Sequence, residues 1–206
     1  MEAFNQLVVE RRSASNFMEG VEITAKELDE IFGLVKMAPS AFNLQHTNYL
    51  VVLDSELKEE VRKAASGQYK VHSASAVIIV LGDKDAYKET ERIYEGLLML
   101  GILNKQQYEH EIQDVISLYE SRGEVFQRDE AIRNASLSAM MFMLAAKSKG
   151  WDTCPMIGYD SAQLKKLLSI SEQYEPVMMI TIGKEKVESR RPRGYRKPIG
   201  EFVQYV

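Results

Sequence analysis

The clearest periodic stretch of the chain follows Thr24. Leu28, Ile31, Phe32 and Val35 recur at helical spacing, Thr24 and Glu27 make a capping box ahead of them, and Pro39 predicts that the helix ends at Ala38. A polar loop, Pro39-Ser-Ala-Phe-Asn-Leu-Gln45, then leads into Tyr49-Leu-Val-Val-Leu53, whose β-branched apolar run predicts a strand buried on both faces. Upstream, Ala3 to Arg11 reads as a short helix with Phe4, Leu7 and Val8 on one face. Downstream, Asp54 and Ser55 cap a helix carrying Leu57, Val61, Ala64 and Ala65, and Gly67 breaks it. The most apolar run, Ala76-Val-Ile-Ile-Val-Leu81, predicts a central strand, and Gln68, Tyr69 and Lys70 fall in a loop before it.

From Asp85 to Gln127 the pattern is helical and amphipathic, through Ile93, Leu97, Leu98, Tyr108, Ile112, Val115, Ile116 and Tyr119, with no strand signal. Arg128 to Lys149 then reads as a long helix whose Ala131, Ala135, Ala139, Met140 and Met143 suit a close helix contact, closed by Gly150. Trp151–Pro155 and Val177–Ile182 predict the last strands. Between them, a helix is capped by Asp160 and Gln163 and packed by Leu164, Leu167 and Leu168.

At 206 residues and 45% hydrophobic content, the sequence predicts one domain, 1–206, with a helical excursion over about 85–127. The charged opening Glu2–Arg12 has no signal-peptide core and no run is long enough to span a membrane, so a cytoplasmic protein without a membrane partner is expected. Cys154 is the single cysteine, and His46, His72 and His110 have no metal-ligand spacing, so no metal is expected. A net charge of −4 argues against nucleic acid as a partner.

One basic cluster stands out: Lys184, Lys186, Arg190, Arg191, Arg193, Arg196 and Lys197 against Glu185 and Glu188, either a solvated tail or an anion site. Arg11-Arg12-Ser13 suits a dianionic phosphate and equally suits the end of a helix. Ser40, Asn43 and Gln45 offer uncharged hooks for a planar ligand, or a turn that satisfies its own backbone. No paired carboxylates, nucleophile elbow, zinc helix, P-loop or dinucleotide fingerprint is present, so the chain carries no catalytic machine of its own.

Arg11-Arg12-Ser13, Pro39-Ser40-Ala41-x-Asn43-x-Gln45, Pro155-Met-Ile-Gly158-Tyr-Asp160 and the basic Arg-Lys-Pro segment, in that order, resemble the nitroreductase family of FMN-dependent oxidoreductases. The resemblance implies an α+β fold with a central mixed, mostly antiparallel sheet flanked by helices, in an intertwined homodimer. It implies bound FMN, NADH or NADPH as donor, and ping-pong hydride transfer through flavin N5 to a small-molecule acceptor of nitroaromatic or quinone type. Reductive dehalogenation on the same fold, or flavin binding without turnover, are the alternatives.

The cofactor positions carried over are Arg11, Arg12, Ser13 and Ser15; Pro39, Ser40, Ala41, Asn43 and Gln45; Gln68 and Lys70; and Asn134. To these are added Pro155, Met156, Ile157 and Gly158, and then Arg193, Arg196 and Lys197. By resemblance the phosphate falls to Arg11, Ser13 and Arg196, and the amides of Ile157 and Gly158 face N5 and O4. The ring edge is met by the partner's Ser40 and the partner's Asn43. Two positions depart from the family pattern. His46-Thr47 stands where Pro-Trp is usual, and Ser15 stands where a cation is usual, with Lys70 the candidate to replace it.

Overall fold

The structure is a computed structural model that describes residues 2–206. Its helices are α1 (Glu2–Glu10), α2 (Ala25–Val35), α3 (Ser55–Ala64), α4 (Tyr69–Ser73), α5 (Thr90–Met99), α6 (Lys105–Ser148) and α7 (Ser161–Leu167). The strands β1 (Thr47–Val52), β2 (Ala76–Asp83), β3 (Asp152–Met156) and β4 (Tyr174–Gly183) form one sheet in the order β1-β2-β4-β3. Expected as mixed and mostly antiparallel, the sheet is antiparallel at every strand pair, and its parallel contribution is an isolated bridge between Ser13 and Thr153.

Every residue of β2 is buried, and its two-residue alternation divides the core. Ala76, Ile78 and Val80 pack with Leu28, Ile31 and Val35 of α2 and Ala135, Ala139 and Phe142 of α6. Val77, Ile79 and Leu81 point the other way, to Val61 and Ala65 at α3, Val71 of α4 and Leu164 of α7. Helix α6 lies so close to β2 that a Cβ on Gly82 would fall 2.8 Å from the backbone of Ala131.

Local signals hold where the chain alone decides. The Thr24–Glu27 capping box and the Asp54 and Asp160 caps are all formed. Sheet order overturns the double burial expected of the first strand. β1 is an edge strand with one neighbour, and Leu50, Val51 and Leu53 stay exposed. Two other boundaries move. Tyr69 and Lys70 form the start of the short helix α4, with Gln68 at its N-cap position, not a loop. The excursion and the long helix join as α6, interrupted not near Gln127 but at Gly123, whose φ of 74° favours glycine.

Candidate functional site: a cationic cleft

The end of α1 and the start of the C-terminal tail hold each other. Arg193 donates to the carbonyls of Val9 and Arg11, satisfying the last turn of α1, and Arg12 donates to the Arg191 carbonyl. Ser13 bridges to Thr153, and the Ala14 amide donates to the Thr153 carbonyl at 3.0 Å, which sets this segment beside β3. Between them opens a cleft of about 510 Å³ lined by residues 11–16, 68–70, Cys154, Ser189, 191–194 and Arg196.

Among the described residues, six cations line this cleft, Arg11, Arg12, Lys70, Arg191, Arg193 and Arg196, and no carboxylate does. The Arg11 guanidinium is held below its ordinary pKa, first by burial and then by the charges of Arg193 and Arg196, with Cys154 acting in the opposite sense. Arg12 Nε is buried without a hydrogen-bond partner. Like charges gathered in this way, with the hydroxyls of Ser13 and Ser15 beside them, are a donor set for an anion. The floor of the cleft is tied to the sheet by Lys70, whose Nζ donates to Cys154 Sγ at 3.4 Å.

Of the residues expected from the sequence, Arg11, Arg12, Ser13, Ser15, Gln68, Lys70, Arg193 and Arg196 meet in this cleft. Lys197 does not line it, and Arg196 Nη1 turns back to the carbonyls of Gly194 and Tyr195 at 3.1 and 2.9 Å. The turn after β3 adjoins it through Gln68, whose Nε2 donates to the Gly158 carbonyl at 3.1 Å. At the end of β3 Pro155 is half-buried and Met156 buried, and in the turn that follows Ile157 is 82% exposed.

The loop from Pro39 to Gln45 lies elsewhere. Pro39, Ser40 and Gln45 line a separate cleft of about 240 Å³ with Phe32, Tyr49 and Ser138. Ser40 Oγ accepts the Gln45 amide at 3.0 Å, closing the loop on itself. Asn134 sits beneath it. Its Oδ1 accepts the Ala41 amide at 2.7 Å and its Nδ2 donates to the Glu130 carbonyl at 2.7 Å, so one end of the carboxamide serves the loop and the other the preceding turn of α6. Asn43 has φ of 55° and an exposed side chain.

Sequence reasoning missed Cys154 as part of the cleft, although it precedes the Pro155 motif directly. It also missed the hydrogen bond between His46 and Tyr119, because 73 residues separate them and neither carries a motif.

Residues 8–184 match the sequence model of the nitroreductase family. The chain belongs to the nitroreductase family, a family of oxidoreductases. It is 66% identical over 206 residues to MhqN of Bacillus subtilis, covering all of both chains, and the name of that relative includes NAD(P)H nitroreductase. A crystal structure of ydfN from the same organism superposes with a TM-score of 0.98 at 66% identity, again over the whole of both chains. A structure from Exiguobacterium sibiricum, solved in complex with FMN, superposes with a TM-score of 0.90 at 30% identity, covering 98% of this chain and 97% of that one. No helix among the described residues is long and apolar enough to cross a membrane.

Proposed function

We propose that the chain binds FMN and uses it to pass reducing equivalents from NADH or NADPH to nitroaromatic or quinone-type acceptors. The observation that carries this reading is the cationic cleft, where the Arg11, Arg193 and Arg196 charges converge without a counter-anion. A dianionic phosphate relieves that repulsion, and the FMN complex of the Exiguobacterium relative supports the flavin as its bearer. When bound, FMN supplies the redox chemistry, accepting hydride from the nicotinamide at N5 and passing electrons to the acceptor in a ping-pong cycle.

The residues of the chain bind and orient. Arg11, Ser13 and Arg196 hold the phosphate, Arg193 keeps the tail against α1, and Lys70 of α4 and Gln68 at its N-cap position face the ring. The amides of Ile157 and Gly158, in the turn after β3, are the backbone donors for the N5 edge.

The active unit is read as a homodimer. Ser40 and Asn43 do not line the cleft of their own chain, which fits a ring edge met by the partner's Ser40 and the partner's Asn43. Three apolar surfaces stand uncovered in one chain: helix α1, which buries no residue; the β1 edge; and the tail, where Ile199, Phe202 and Tyr205 are exposed. A reducing compartment, the cytoplasm, suits the unpaired Cys154.

The test is a titration of the purified protein with FMN, followed by steady-state oxidation of NADH and of NADPH with a quinone as acceptor. A yellow protein that turns over is expected. A colourless protein that takes up no FMN ends the proposal.

A further inference from the structure

The loop after Pro39 is strained, and something must hold it. Phe42, Asn43 and Gln45 have φ of 52°, 55° and 51°, left-handed backbone that residues with a Cβ keep only where their surroundings impose it. Asn134 anchors one end through the Ala41 amide. The other end runs into His46, which is completely buried, and there the anchor comes from the helical excursion.

His46 Nε2 shares a hydrogen bond with the Tyr119 hydroxyl at 3.0 Å, and His46 Nδ1 has no partner. One bond therefore carries the whole polar demand of a buried imidazole. Tyr119 is itself fixed: it is buried, stacked on Tyr87 at 5.1 Å between centroids, and met edge-on by Phe126 at 5.3 Å. The same part of the chain touches the loop twice more. Phe42 meets the Tyr119 ring edge-on at 6.5 Å, and the Tyr94 hydroxyl donates to the Phe42 carbonyl at 3.3 Å. Leu44 sinks into the cluster formed by Tyr87, Val115 and Tyr119.

Building on the flavin reading above, we propose that Tyr119, acting through His46, is a positioning residue for the Phe42–Gln45 loop, so that the excursion sets how the loop meets the flavin ring and how tightly the acceptor binds. Neither residue lines the cationic cleft, so the grip on the phosphate is separable from this role. Without the Tyr119 hydroxyl both imidazole nitrogens are left unpaired at a site closed to water. Moving His46 relieves that, and Gln45, the adjoining strained residue, moves with it.

The test compares the parent with Tyr119→Phe and His46→Gln, and with Tyr108→Phe as a control that loses only a bond within the excursion, to the Glu91 carbonyl. In FMN-free protein, Tyr119→Phe is expected to speed hydrogen exchange at the Leu44 and Gln45 amides about tenfold or more, with Tyr108→Phe at the parent rate. In FMN-loaded protein, Tyr119→Phe is expected to change the visible circular dichroism of the flavin. It should also raise KM for benzoquinone about fivefold, with kcat and the FMN Kd within about twofold of the parent. His46→Gln, whose amide can still meet Tyr119, should fall between, and it serves alone if Tyr119→Phe does not fold.

Parent exchange rates in Tyr119→Phe, or in His46→Gln where only that variant folds, overturn the positioning role. Faster exchange with unchanged dichroism and KM overturns its reach to the ring. Failure of the flavin reading itself would show earlier, as a parent protein that binds no FMN, and the exchange arm still decides whether Tyr119 holds the loop.

Discussion

Lys70 and Cys154 touch across the floor of the cationic cleft, Nζ to Sγ at 3.4 Å, joining the short helix α4 to the strand β3. The contact fixes where the ammonium of Lys70 stands. It lies in the same cleft as Ser15, the position at which the family pattern would supply a cation.

Lys70 is therefore expected to raise the midpoint potential of bound FMN by stabilising the charge that reduction places on the ring. For a two-electron couple, a loss of about 1.4 kcal/mol of differential stabilisation corresponds to roughly 30 mV. Lys70→Met should lower the potential by about that much, and Ser15→Arg added to it should recover part of the drop. An unchanged potential in Lys70→Met would exclude this role.

Arg11 is expected to split affinity from stability. It is a charge held among like charges, so Arg11→Met should raise the melting temperature of the FMN-free protein while weakening FMN binding. A charge-assisted bond to phosphate contributes about 1.5–3 kcal/mol, so the loss should be roughly ten- to hundredfold, read by quenching of flavin fluorescence. Arg193→Ala should instead lower both, because Arg193 also caps α1.

His46 makes stability depend on pH. Burial lowers its pKa from the ordinary 6.5 to about 4. The unfolded chain takes up a proton near pH 6.5 that the folded chain refuses until about pH 4, so stability is full above 6.5 and falls as the pH drops between these values. Between pH 7.5 and 5.5 the loss should be about 1.4 kcal/mol, seen in urea unfolding as a difference between the parent and His46→Gln. Parallel curves for the two proteins would refute it.

The C-terminal tail supplies a test of assembly. Deleting residues 199–206 removes Ile199, Phe202 and Tyr205, which rest exposed on a single chain. If they cover a second copy, the truncated protein should sediment with a larger monomer fraction at micromolar concentration and lose bound FMN. An unaltered dimer would place the tail outside the interface.

What could be read from the sequence follows the range of each interaction. The capping box at Thr24 and the buried run of β2 depend on neighbours a few residues away, and both were legible. The exposure of β1 was not, since an edge position is a property of strand order and the run Tyr49–Leu53 reads the same in either place. Gly123 was overlooked because the amphipathic period continues through it and only the backbone turns. At the site, Arg11, Arg12, Ser13 and Arg196 of the cleft are reached through ordered motifs. The service of Asn134 to the Ala41 amide could not be, because a carboxamide looks alike whether it meets a ligand or a loop.

The left-handed residue at Gly123 also bears on how the chain tolerates change. In an unbroken helix each added residue rotates everything beyond it by about 100°. Continuous from Lys105 to Ser148, α6 would hand any insertion near Tyr119 on to Asn134 and to the face packed against β2. The break ends that inheritance, so the two halves of α6 keep independent screw phases. An alanine inserted just before Gly123 should leave the core intact and show its damage locally, whereas one inserted between Arg133 and Asn134 should put Ala135 and Ala139 out of phase with Ala131, which packs against Gly82, and lower the melting temperature sharply. The excursion is thus free to vary in length and sequence while the helix that builds the core stays in register.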